Sequence, residues 1–300
     1  MRTISGFRWG LLAVTGLACW TLASDACAAV KAGFAERDIS PDVGMEQPGG
    51  YHKSFHRSFH DPCKVRVAVF DDGRKCTAIV GVDALAVPRS LVGQARRGIA
   101  EKCGIPPDAV LIAASHSHSS GPTAMVQPGE YDHASPLVQK LAYEQSSMAN
   151  AEYLKRVEQA IVEGVCAAHQ SRSEVQCGFG SGRADNVAYN RRFRMKNGLS
   201  YTHPGQGNPD IVEAAGPTDP EVGVVAAWNA EGKLVGCLVN FACHATTSPG
   251  GISANYIYYL EKVIRGVTGD GGPGDLDDQG EQYEGHHQAG GPFDHRRALL

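Results

Sequence analysis

The sequence predicts a mixed α/β fold: a mixed sheet with antiparallel hairpins and flanking helices. Three observations carry that reading. Apolar strand-like runs alternate with stretches of helical periodicity. Two turn sequences, Asp71-Asp72-Gly73 and Asn229-Ala230-Glu231-Gly232, each separate a pair of such runs and mark hairpins. The 36 glycines and 16 prolines are too many for a helical bundle of 300 residues.

In chain order, residues 1–28 read as a secretory signal. Arg2 and Arg8 form a basic start, 9–22 is an uncharged apolar run, and Ala26-Cys27-Ala28 offers small residues for cleavage. The run is too short to span a bilayer, so the chain is expected to be exported, to the periplasm or beyond the cell. Asp38 and the glycines at 44, 49 and 50 suggest an extended, turn-rich beginning to the mature chain. The run 64–70 alternates as a strand, and 76–82 is its apolar return, ending at Asp83. Helical spacing over 91–103 stops at Gly104. A buried strand over 109–114 leads into Ser115-His116-Ser117-His118. The longest amphipathic helix covers 151–169, with Leu154, Val157, Ile161 and Val165 on one stripe. Strands follow at 175–179, 222–228 and 234–243, the last running into His244, and a helix at 257–267.

With 42% hydrophobic and 20% charged residues, 29–268 can build one domain with a core. A net charge of −4 argues against nucleic acid as a partner and leaves at most peripheral membrane contact. Removing Cys19 and Cys27 with the signal leaves seven cysteines of nine, without a CxxC pair. Cys237 and Cys243 share one strand, roughly 20 Å apart at about 3.3 Å per residue, and cannot pair there. Cys76, Cys237 and Cys243 read as small core residues, and export permits disulfides elsewhere. Oligomeric state leaves no mark in the sequence.

The chemistry is expected where two buried strands end in histidine. In a strand the side-chain period is two, so His116 and His118 would share a face, a common way to present two imidazoles to zinc. Polar decoration at a loop entrance is the other reading of the pair, and of His244 after its own strand. His52, His56 and His60 lie in YHKSFHRSFH, which reads as loop decoration that could border the pocket, with a metal role as the other reading if the stretch were helical. Asp83 would either orient a ligand histidine or cap the following turn. No G-x-S-x-G elbow and no G-x-G-x-x-G after the early strands is present, which argues against a serine esterase and a dinucleotide fold.

The stretch AASHSHSSGPT resembles the His-Thr-His-Ser-Gly-Pro signature of the neutral/alkaline ceramidases. Further matches follow in order: Asp38 to Gly44, His60-Asp61-Pro62, Ile79 to Asp83, Gly104 to Pro107, Asn190-Arg191, Asp219 to Gly223, and Val239 to Thr246. The resemblance covers residues 32–268. It implies a zinc-dependent hydrolase cleaving the amide bond of a lipid-like N-acyl substrate. It implies His116 and His244 as zinc ligands, His118 as the catalytic histidine beside the metal, and Arg191 as a pocket residue suited to a carbonyl oxygen or carboxylate. Three departures stand out. Ser119-Ser120-Gly121 has one serine more than the family spacing, so the loop should pass the metal differently. Arg192-Phe193 replaces the usual Ser-Pro after Asn190-Arg191, which puts ceramide itself in question as substrate. The family's later glutamate and tyrosine ligands have no recognisable counterpart in 269–300, which reads as an atypical polar tail. A frame shift is our expectation there, leaving the domain incomplete and a sheet edge unpaired; a disordered terminus and a metal-recruiting tail with His286, His287 and His295 are the other readings. An exported metal- or ligand-binding domain without catalysis is the alternative function.

Overall fold

The first sheet is assembled around the hairpin that Asp71-Asp72-Gly73 predicts, in a computed structural model that describes residues 29–50, 52–247, 249–269 and 297–299. The expected signal, 1–28, and Glu281, Tyr283, Glu284, His286, His287 and His295 of the tail lie outside the described residues. Strands β1 (Lys31–Asp38), β2 (Lys64–Asp71), β3 (Cys76–Val82), β4 (Val110–Ala114) and β5 (Ser173–Glu174) lie in the order β4-β3-β2-β1-β5. Only the β3–β4 pair is parallel. That pairing requires a crossover, which α1 (Arg89–Cys103) supplies. Gly104 closes α1 in the left-handed conformation (φ 72°), its N–H bonded to the Ala100 carbonyl.

The valines sort the sheet's faces. Val65, Val67, Val69, Val80 and Val82 share one face and are buried against α1 and α3 (Ala151–Gln170), which contribute Leu91, Ala95, Ile99, Val157, Ile161 and Val165. Each of the valine, leucine and isoleucine side chains contributes roughly 1.5–3 kcal/mol by leaving water. Asn150 caps α3 by accepting from the Tyr153 N–H at 2.9 Å. The helix passes so close to β1 that a Cβ at Gly33 would stand 2.0 Å from the Ala168 carbonyl oxygen. A disulfide, Cys103–Cys166, ties the end of α1 to α3.

Between β4 and α3 the chain runs through α2 (Pro136–Gln139) into a π-helical turn, Lys140–Gln145. After α3, β6 (Gln176–Arg183) leads into a small sheet of β7 (Arg192–Met195), β8 (Ser200–Thr202) and β9 (Ile211–Ala214), ordered β8-β7-β9. The second predicted hairpin, β10 (Glu221–Trp228) and β11 (Leu234–Ala242), returns beside β6, and α4 (Tyr256–Thr268) follows. β12 (Arg297–Leu299) completes the order β12-β11-β10-β6. β11 lies across the first sheet's other face, where a Cβ at Gly236 would meet the Phe34 ring at 2.5 Å. No described helix is long and apolar enough to cross a membrane.

Four expectations change. The turn-rich beginning at Asp38 is preceded by β1, which the sequence hides because charged Lys31, Glu36, Arg37 and Asp38 dilute its apolar pattern. The tail does not leave the β11 edge wholly unpaired: Arg297–Leu299 pair with Asn240–Ala242. Of the three cysteines read as core, only Cys243 is buried; Cys76 and Cys237 are half-buried, and Cys63 is the one sealed in the main core. The His-x-His pair is not in a strand, because β4 ends at Ala114 and His116 has φ 63°.

Candidate metal centre

Two strand ends deliver the candidate ligands. Beyond β4 the chain carries His116 and His118, and beyond β11 it carries His244. The left-handed turn at His116 folds the first loop back, so strand alternation is not what brings the pair together. The Nε2 atoms of His116 and His118 are 3.3 Å apart, and His244 Nε2 is 2.9 Å from that of His118. Their ring centroids lie 4.7–5.0 Å apart.

Carbonyl acceptors fix two of the tautomers. His116 Nδ1 donates to the Leu85 carbonyl and His118 Nδ1 to the Gly49 carbonyl, each at 2.6 Å. A carbonyl can only accept, so Nδ1 donates in both rings, and in the neutral form each ring would turn an Nε2 lone pair toward the other. Two lone pairs at that distance need a cation or proton between them. Zinc–nitrogen bonds of about 2.05 Å at a tetrahedral angle place nitrogens about 3.3 Å apart, close to the spacing seen. The three histidines therefore form a group that could hold a metal ion, and the residues fit a zinc-type ion. His118 stands with the other two as a potential ligand.

The loops that supply these carbonyls are tied down by buried polar contacts that the sequence did not reveal. Gln47 Nε2 donates to the His118 carbonyl at 3.0 Å, and Gly49 lies so close that a Cβ there would sit 2.3 Å from the same oxygen. His56, read as loop decoration, is buried and holds the Ser120 carbonyl through Nε2 at 3.0 Å. Burial pushes its imidazole below the usual range, which keeps it neutral despite that hydrogen bond. Ser117, between the two histidines, donates to the Ser253 carbonyl and accepts from Asn255 Nδ2. Ser253 and the Ala254 N–H in turn donate to buried Asp61. The extra serine is absorbed here: Ser119 and Ser120 are fully buried, and Gly121 passes against the Tyr153 ring, where a Cβ would lie 2.2 Å away. Only the glycines at 49 and 50 could have flagged this clamp in the sequence.

Asp83 does more than cap a turn. It accepts from Arg66 Nη1 (2.6 Å), the Lys64 N–H (2.8 Å) and Ser115 Oγ (3.3 Å), fixing the strand end from which both Leu85 and His116 depart. Burial raises its carboxyl, and Arg66 opposes that shift. Arg66 also binds Glu261 of α4. Arg191 is half-buried just before β7, its carbonyl accepting from the His203 N–H. Its segment reaches toward the centre: Ala188, three residues earlier, packs with Phe241 and with Cys243, the neighbour of His244. His52 is exposed, and His60 bonds Tyr259 at 2.7 Å.

No family profile matches the chain. A stretch of 142 residues, 46% of the chain, is 28% identical to the neutral ceramidase of Pseudomonas aeruginosa and spans 18% of that protein. A solved ceramidase complexed with C2 superposes with a TM-score of 0.57 at 20% identity, covering 78% of this chain and 35% of that one. The crystal structure of the Pseudomonas aeruginosa neutral ceramidase gives 0.54 at 18% identity, with 78% and 36% covered. The chain thus spans about a third of the length of the solved proteins whose fold it shares. Over part of its length, this chain is related to the neutral ceramidases.

Proposed function

We propose that the three-histidine centre binds zinc and serves hydrolysis of an amide bond in an N-acyl, ceramide-like lipid. The observation that carries this reading is the convergence of three imidazole Nε2 atoms, two of them on rings whose Nδ1 donates to a backbone carbonyl. The partial relationship to neutral ceramidase supports the reaction class. Bound there, zinc supplies Lewis acidity that brings the pKa of a water to about 7. The chain's own residues orient and bind. Leu85 and Gly49 fix the tautomers of His116 and His118, and the buried Ser117–Asn255–Ser253–Asp61 network holds the loop between them. Arg191 is proposed to bind the carbonyl oxygen before cleavage and the carboxylate after it. Export is proposed for the chain, and the Cys103–Cys166 bridge supports it because such bonds persist in oxidising compartments.

A second reading is metal binding without turnover, and one observation favours it. His118 has Nδ1 committed to Gly49 and Nε2 turned to the other two rings, which suits a ligand better than a proton carrier. Zinc stoichiometry and cleavage of a fluorogenic N-acyl amide, measured on the chain and on His116→Ala, separate the outcomes. The hydrolase reading expects one equivalent of zinc and turnover, both lost in the variant. Zinc without turnover supports the binding reading, and a full equivalent of zinc in His116→Ala sinks the assignment of the centre.

A further inference from the structure

Asn255 has a backbone that its residue type does not favour. It stands at the start of α4, fully buried, with φ 62° and ψ −143°. Asparagine tolerates the left-handed helical region, but this ψ lies far from it, in a conformation that glycine alone takes freely. An asparagine at a helix start ordinarily caps it, yet this side chain makes no capping bond to α4. Its amide reaches the two loops that carry the histidines. Nδ2 donates to Ser117 Oγ at 2.6 Å, and Oδ1 accepts from Thr247 Oγ1 at a long 3.5 Å. Ser117 lies between His116 and His118, and Thr247 three residues after His244.

The neighbours settle which way the amide points. Ser117 Oγ donates its one proton to the Ser253 carbonyl at 2.8 Å, so toward Asn255 it can only accept, and Nδ2 must face it. The Ser119 N–H, at 3.3 Å, takes the other acceptor position, which leaves this hydroxyl fully bonded only while Asn255 is present. His116 itself has φ 63°, so the turn it begins is not held by backbone preference. The surrounding bonds pass a shift on: the Ser253 N–H donates to the Ser119 carbonyl at 3.0 Å, and the His118 N–H to the Ala245 carbonyl at 3.1 Å. We propose that Asn255 is a positioning residue of the metal centre, whose amide sets the His116–Ser117–His118 turn against the loop of His244. The strained backbone and the uncapped helix are retained for that amide. This inference rests on the reading that the three histidines bind a metal.

The test compares Asn255→Gly with Asn255→Ala in the full chain, by thermal melts without metal and by cobalt(II) titration followed in the visible spectrum. Both variants lack the amide, and only glycine suits the backbone. Asn255→Gly should therefore melt above Asn255→Ala, while both bind cobalt about tenfold or more weakly than the wild type, with an altered ligand-field band. Adding Ser117→Ala to Asn255→Gly should weaken binding no further, because the two residues act through one bond. The proposal is overturned if cobalt affinity simply follows the melts, with Asn255→Gly close to the wild type, since Asn255 would then only stabilise the fold. Additive losses in the double variant, a wild-type band in Asn255→Gly, or loss of its cooperative melt overturn it too. A wild type that takes up no cobalt sinks the metal reading of the centre itself, and this inference with it.

Discussion

Substituting alanine for Gly49 places a methyl group 2.3 Å from the His118 carbonyl oxygen and 2.6 Å from its Cα and Cβ. Ordinary carbon contacts begin at about 3.5 Å, so the two backbones must separate by about 1 Å. That movement breaks the 2.6 Å bond from His118 Nδ1 to the Gly49 carbonyl, and with it the constraint that turns Nε2 toward the other rings. Losing such a support to a metal-binding histidine costs about 10- to 100-fold in metal affinity, and overpacking adds roughly 1–3 kcal/mol of destabilisation. Gly50→Ala is the control, because the nearest atoms to its Cβ are 3.7 and 4.0 Å away. Zinc affinity measured by chelator competition, beside a thermal melt, should fall for Gly49→Ala and hold for Gly50→Ala. Wild-type affinity in Gly49→Ala would refute the claim that this carbonyl holds the ligand set.

Burial alone would raise Glu261, but Arg66 and Lys64 bring its carboxyl from the usual 4.5 down to about 2. A depressed carboxyl contributes its stability above the unfolded value and loses it as pH falls through about 2. Acid melts should therefore show up to about 3 kcal/mol lost over that window in the wild type and a flatter profile in Glu261→Gln; parallel profiles would exclude the network as the cause. The Cys103–Cys166 bridge spans 63 residues. Replacing both cysteines with serine should destabilise the fold by about 2–4 kcal/mol in urea unfolding, and an unchanged midpoint would mean that the bridge contributes nothing. Gly121→Ala forces a Cβ against the buried Tyr153 ring and should lower the melting temperature. An unchanged melt would show that the ring yields freely.

Both hairpins and three helices were legible because their signals are local: a turn sequence flanked by apolar runs, or a stripe at helical spacing closed by Gly104. The histidines were legible as residues, whereas the reason they converge was not. Period two assumes a continuous strand, and β4 ends before His116 takes a left-handed backbone that no sequence rule assigns to histidine. The positioning groups were hidden because their bonds join distant segments: Gly49 and His118 are 69 residues apart, Asn255 and Ser117 138. β1 escaped notice for a packing reason. Gly33 is small because α3 presses on the strand there, which adds to the strand's charged residues in breaking the bulky alternation that marks its neighbours. The cysteine count left open which pair would close; proximity of two helix segments decided it.

The histidines bridge the two sheets. His118 belongs to the loop that leaves the first sheet, and His244 to the strand end of the second, 126 residues later. An ion shared between them would act as a removable staple. Its contribution to folding grows with the logarithm of free ion over dissociation constant, about 1.4 kcal/mol for each tenfold excess. The order of assembly would then depend on the surroundings. In ion-poor conditions the first sheet, with α1, α3 and their bridge, would stand as the more durable unit, and the ion would tighten the second sheet's strand end against it.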